Sequence, residues 1–143
     1  MTPRRSVSVS RTINAPASAI FNLLADPREH ARLDGSGEVV NVKEAPERLS
    51  LGAVFTMRMK MKANYTTRNV VSEFVENKSI AWHHRAGFIW RYELDEVEGA
   101  TKVTESFIYD NPLGVIISML GVPKKNQEAM QVTLLCLEQA VTS

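Results

Sequence analysis

The sequence predicts an α+β domain: seven antiparallel strands in one curved sheet, two short helices after the first strand, and a long helix closing the chain, in the order β-α-α-β-β-β-β-β-β-α. Three observations predict it. An alternating N-terminal segment leads into two proline-headed amphipathic stretches. Six further alternating segments, separated by short turns, run from Glu38 to Tyr109. Beyond them the apolar residues repeat at helical spacing to about Val141. Short turns between consecutive strands demand antiparallel neighbours, because a parallel pair needs a crossover of about a dozen residues or more. The sheet is the one surface large enough to bury the stripe of the last helix.

Each element follows from its residues. From Arg5 to Ile13, Val7, Val9, Arg11 and Ile13 share one face, and Ser6, Ser8, Ser10 and Thr12 the other. Pro16 suits a first helical position, and Ile20, Phe21, Leu23 and Leu24 make an apolar stripe behind it. Asp26-Pro27 repeats the start signal, with Asp26 as cap, for a second helix through Leu33 that breaks at Asp34-Gly35-Ser36-Gly37. In the next strand the alternation puts Val40 and Val42 on one face. Ala53 to Lys62 alternates strictly, with Phe55, Met57, Met59 and Met61 opposite Thr56, Arg58, Lys60 and Lys62. Asn64 to Val75 is a long strand, and Ser79 to Arg85 carries Ile80, Trp82 and His84 on one face. Phe88, Trp90, Tyr92 and Leu94 alternate next, and a turn at Glu98-Gly99 leads to Val103, Glu105, Phe107 and Tyr109. Asp110-Asn111-Pro112 opens the final helical region, which Pro123 should kink or divide. Met130, Leu134, Leu137 and Val141 form its buried stripe.

Composition narrows the class. A chain of 143 residues is the size of one domain, 1–143, and hides roughly 70% of its unfolded surface. With 44% apolar and 23% charged residues, it is neither disordered nor fibrous. A formal charge of +1, with basic and acidic residues interspersed, leaves no cationic stripe for a phosphate backbone, so no nucleic acid is expected. The longest apolar run, Leu113 to Val122, is half the length of a membrane span. One cysteine, Cys136, and no visible export signal lead to the expectation of a cytoplasmic protein.

A strongly twisted sheet curls, and one helix is narrower than the concave face it crosses, so a cavity for a small apolar ligand is expected between them. The inward rows carry Phe55, Met57, Met59, Trp90, Tyr92, Phe107 and Tyr109, with Asn69, His84 and Glu105 as polar members. Met130 and Leu134 face them from the last helix, and the same residues serve equally as the filling of a solid core. Glu105, between Val103 and Phe107, is a carboxyl group in an apolar row that needs a partner or a raised pKa. It pairs with His84, either as an acid and base or in a structural hydrogen bond that satisfies both groups, or with Arg58 or Arg91 if the register slips by one. His83 and His84 point to opposite faces and cannot share an ion, and no metal or other cofactor is expected. Nor is there a Gly-rich phosphate loop, since Gly35-Ser36-Gly37 precedes a strand where such a cradle precedes a helix.

The runs Ile13-Asn14-Ala15-Pro16 to Asp26-Pro27, Leu33-Asp34-Gly35-Ser36-Gly37, Ile80-Ala81-Trp82-His83-His84, Trp90-Arg91-Tyr92-Glu93-Leu94 and Gly99 to Ser106 resemble one superfamily. They are similar to the polyketide cyclase/dehydrase and lipid-transport-like families of the START and birch-pollen-allergen (SRPBCC) superfamily. The resemblance spans nearly the whole chain and implies the helix-grip fold, with ligand held between the final helix and the sheet. Many members carry a tryptophan shortly after the second helix, where this chain has Leu33 to Gly35. Carriers, hormone binders, cyclases and co-chaperone domains share the fold, so activity does not follow from it.

Three functions fit. The first is a carrier or sensor that binds a lipid-, polyketide- or aromatic-like molecule without turnover. The second is a cyclase, aromatase or dehydratase in which Glu105 and His84 move a proton while Tyr92 or Tyr109 orients a carbonyl. The third is an interaction module using the outer sheet face or the apolar Leu113 to Leu120 segment, as a monomer or homodimer.

Overall fold

The computed structural model describes residues 5–84 and 87–142. Arg4 at the basic N-terminus and Arg85 at the end of the expected fifth strand lie outside them. The strands are β1 (Ser6–Ile13), β2 (Val39–Glu44), β3 (Val54–Lys60), β4 (Asn64–Val75), β5 (Ser79–His84), β6 (Ile89–Val97) and β7 (Ala100–Ile108). They form one antiparallel sheet in the order β1-β7-β6-β5-β4-β3-β2. The helices are α1 (Ala17–Leu24), α2 (His30–Leu33), α3 (Gly114–Met119) and α4 (Val122–Thr142). This is the helix-grip arrangement, and among the described residues no helix is long and apolar enough to cross a membrane.

Local chemistry sets the element ends. Pro16 immediately precedes α1, whose first N–H, on Ala17, donates to Glu96 Oε1 of β6 at 2.5 Å. Asp26 accepts from the Arg28 N–H at 3.0 Å as a cap, but the segment behind it divides into a 3₁₀ turn, Pro27–Glu29, and the single α-turn of α2. The C-terminal helical region also divides. The break falls at Gly121, whose φ of 75° is left-handed, and Pro123 sits in the first turn of α4, where its missing N–H has no partner to lose.

Two strands depart from simple alternation. Val39 pairs with Met59 and Asn41 with Arg58, so one residue of β2 is extruded at Val40. Val40 is therefore 47% exposed, and Val39, not Val40, joins Val42 against the core. A second irregularity, between Val71 and Glu73 of β4, turns Phe74 inward. Its ring meets Phe21 of α1 edge-on, with centroids 5.2 Å apart.

The concave face is filled unevenly. Ile20, Phe21 and Leu24 of α1, together with Leu134 and Leu137 of α4, pack on Ile13, Ile80 and Val103 to make the main core at one end. The other end lies under the first half of α4. There the helix is seated by the loop after α2: the Gly35 N–H donates to Thr133 Oγ1 at 2.8 Å, and Thr133 Oγ1 donates to the Ala129 carbonyl at 3.1 Å. A Cβ on Gly35 would stand 2.2 Å from Ala129 O and 2.7 Å from Thr133 N, so only glycine permits this approach. Gly35→Ala should push the helix off its seat and destabilise the fold by about 1–3 kcal/mol. The change would be read as a lower urea midpoint at unchanged slope, and an unchanged midpoint would contradict this account of the seat.

Candidate functional site

Beneath the first half of α4 the sheet and helix enclose a cavity of about 510 Å³. Phe55, Met57 and Met59 of β3 form one side, Trp90 and Tyr92 of β6 with Glu105 and Phe107 of β7 the other, and Asn69 and His84 lie between. Met130 closes the cavity from α4. Two expected lining residues are elsewhere. Leu134, one turn beyond Met130, is fully buried in the main core, because α1 fills the space beneath it. Tyr109 lies past the end of β7, stacked on Phe107 with centroids 5.6 Å apart, and does not reach the wall.

Other wall residues escaped the sequence reading. Trp82 lies on the inward row with Ile80 and His84, so the alternation contained its signal. His30 had none, because α2 is too short to show periodicity. Its ring stacks on Trp82 at 5.0 Å and meets Phe55 edge-on at 5.5 Å. Its Nε2 lies 2.9 Å from the Leu24 carbonyl, which only accepts, so the neutral ring carries its proton on Nε2. Burial holds the His30 pKa below the ordinary histidine value, although this backbone contact opposes the shift.

The exposed residues of the lining, Ser36, Met61, Tyr65 and Lys125, put the mouth among the α2–β2 loop, the β3–β4 turn and the start of α4. Lys125 Nζ meets Glu38 Oε1 across it at 3.1 Å. Asp34 accepts from the Ser36 and Val39 N–H groups at 3.1 and 3.0 Å, which fixes the loop. Beside the mouth α3 turns Ile117 to the cavity and exposes Ile116 and Met119.

The expected pairing of Glu105 with His84 does not form. Ile80, Tyr92 and Glu105 make one row across β5, β6 and β7, and His84 lies four residues beyond Ile80, roughly 13 Å along the strand. His84 instead meets Phe88 edge-on at 5.7 Å. Nor do the arginines reach Glu105: Arg91 pairs with Glu73 at 2.9 Å and with Glu93, and Arg58 binds Asn41 at 3.0 Å, all on the outer face. The partner of Glu105 is Tyr92, whose hydroxyl donates to Oε2 at 2.9 Å. Asn69 spends its amide on the wall itself, with Nδ2 3.3 Å from Thr67 Oγ1 and 3.4 Å from the Phe55 carbonyl. No cluster of three or more histidine, cysteine, aspartate or glutamate side chains able to hold a metal occurs among the described residues.

The profile of the family described as polyketide cyclase / dehydrase and lipid transport matches residues 4–142. The chain belongs to this family. It is 35% identical over 136 residues to the uncharacterized protein Rv0088 of Mycobacterium tuberculosis, covering 90% of this chain and 60% of that protein. The chain thus spans about 60% of the length of the curated relatives it matches. Among solved structures, the KanY protein superimposes with a TM-score of 0.78 at 13% identity over 99% of this chain and 100% of its own. The AHSA1-like protein of Aeromonas hydrophila does so with 0.72 at 17% identity, over 96% and 92%. At these identities the likeness shows the fold alone.

In this family member, burial pushes the Glu105 carboxyl up to about 8, opposed by the Tyr92 hydrogen bond and reinforced by the negative charge of Asp34. Burial likewise pushes the Tyr92 phenol well above its ordinary range, with Glu105 adding to the shift. Glu105 is therefore a neutral carboxylic acid at pH 7, able to donate as well as accept. Because its folded pKa lies above the unfolded one, folding is favoured fully below about pH 4.5, is eroded as pH rises, and loses this contribution above about 8. Glu105→Gln, which keeps an acceptor for Tyr92 and cannot ionise, should flatten this dependence. Its Tm should exceed that of the parent by several degrees at pH 9 and differ little at pH 4.5; equal melting at both pH values would refute the buried-acid assignment.

Proposed function

We propose that this protein binds a small hydrophobic molecule, lipid-, polyketide- or aromatic-like, in the cavity between α4 and the sheet, as a carrier or sensor. The observation that carries this reading is the 510 Å³ space itself, left by rings and methionines that α4 does not press together. Sites for drug-sized ligands span roughly 300–1,000 Å³ and combine apolar walls with a few polar groups. The wall fits that description, with Trp82, Trp90, Phe55 and Met57 around Asn69, His30 and Glu105. Membership of a family described by lipid transport as well as cyclisation agrees with it. A reducing, cytoplasmic setting suits the single free cysteine, Cys136.

The enzymatic alternative, a cyclase, aromatase or dehydratase, has the family description and a buried acid in its favour. It is the weaker reading, because the base paired with that acid in the expected mechanism, His84, stands two strands away on another row.

The neutral fluorophore N-phenyl-1-naphthylamine tests the proposal. It should bind saturably with a blue-shifted emission, and Met59→Trp, which places an indole in the cavity, should weaken binding at least about tenfold. Absence of saturable binding by the folded parent chain, or equal binding by the variant, would exclude the cavity as the site.

A further inference from the structure

The protein treats the two carboxyl oxygens of Glu105 differently. Oε2 receives the Tyr92 hydroxyl proton at 2.9 Å. Oε1 is the one fully buried side-chain nitrogen or oxygen among the described residues that has no hydrogen-bond partner. Such orphaned groups are rare in folded proteins, because leaving one unsatisfied costs about 1–3 kcal/mol. Glu105 is 2% exposed and belongs to the cavity wall, so a small turn of its carboxyl group suffices to bring the covered Oε1 to a ligand in the cavity. Tyr92 cannot serve that ligand in its place, since its single proton is already directed at Oε2.

We propose that Glu105 is the specificity-determining anchor of the cavity, donating one hydrogen bond from its carboxyl group to a carbonyl or ether oxygen on an otherwise apolar, uncharged ligand. This rests on the ligand-binding proposal and adds the polarity of the ligand to it.

The charges around the cavity favour an uncharged guest. On the sheet side, Val9 of β1 is the cross-strand neighbour of Glu105 and Tyr92 its partner on β6. Burial holds the histidines of α2 and β5, His30 and His84, below their ordinary pKa and so neutral at pH 7, and it raises the phenol of Tyr65 on β4. From the α2–β2 loop come Asp34 and Glu38, both acidic. The cation from α4, Lys125, is engaged with Glu38 at the mouth. An anionic ligand would therefore enter beside two carboxylates, with no free cation among the described lining residues to meet it, at a large desolvation cost.

A pair of isosteric probes tests the anchor on the full chain: 2-acetylnaphthalene, which carries the oxygen, and 2-isopropenylnaphthalene, in which a methylene replaces it. Calorimetric titration at pH 6.5 and 9.5 gives the ratio of their affinities. For the parent this ratio should favour the ketone about tenfold more at pH 6.5 than at pH 9.5, where Glu105 has ionised and lost its donor. In Glu105→Gln, whose amide still donates, the ratio should be the same at both pH values. In Tyr92→Phe/Glu105→Met, where neither hydroxyl nor carboxyl remains, it should stay low throughout. If the parent binds both probes with a ratio independent of pH and equal to that of the double variant, the anchor is refuted and the cavity stands. If the folded parent binds neither probe, the ligand-binding reading fails and the anchor falls with it.

Discussion

The arrangement depends on a mismatch of widths. A seven-stranded twisted sheet presents a concave face broader than one helix, and the chain has two devices for occupying it. At one end α1 inserts Ile20, Phe21 and Leu24 under the second half of α4, and the layers close into a core. At the other, α4 is held by the backbone contact at Gly35 and rests Met130 on a smaller cluster with Phe88 and Phe107, which leaves the cavity beside it. Leu24, Leu33, Phe55, Met57 and Tyr92 belong both to the main core and to the cavity wall, so the cavity is an unfilled continuation of that core.

Contacts between rings explain how aromatic side chains line empty space without collapsing into it. Trp82 is steadied by His30 and Phe55, and Trp90 by Phe107, so each ring of the wall rests on other rings. The contacts are edge-on, tilted or stacked, as the charge distribution of aromatic faces favours. His30 takes part because its proton is fixed on the Leu24 carbonyl, which leaves the neutral ring to act as another flat surface.

Most of the fold could be read from the sequence because it is written in local patterns. The period-two runs from Ala53 to Tyr109 and the proline and aspartate signals at Pro16 and Asp26 each report on a few neighbouring residues. The features that resisted reading were non-local. Nothing in Val39-Val40-Asn41 announces the bulge that turns Val40 outward, because a bulge depends on the partner strand. The alternation identified Glu105 as an inward carboxyl, but its choice of Tyr92 over His84 is set by cross-strand register. Leu134 and Tyr109 carry the residue types and spacing of a lining, and only the reach of α1 and the end of β7 remove them from it.

The irregular pairing of β2 has a consequence for association. This strand forms one border of the sheet, and such borders are templates on which a strand of another molecule can add. With residues extruded on either side of the Asn41–Val42 step, its outer amides and carbonyls fall out of the even spacing that an incoming strand would match. The same distortion that re-aims Val40 thereby blunts that border against sheet extension.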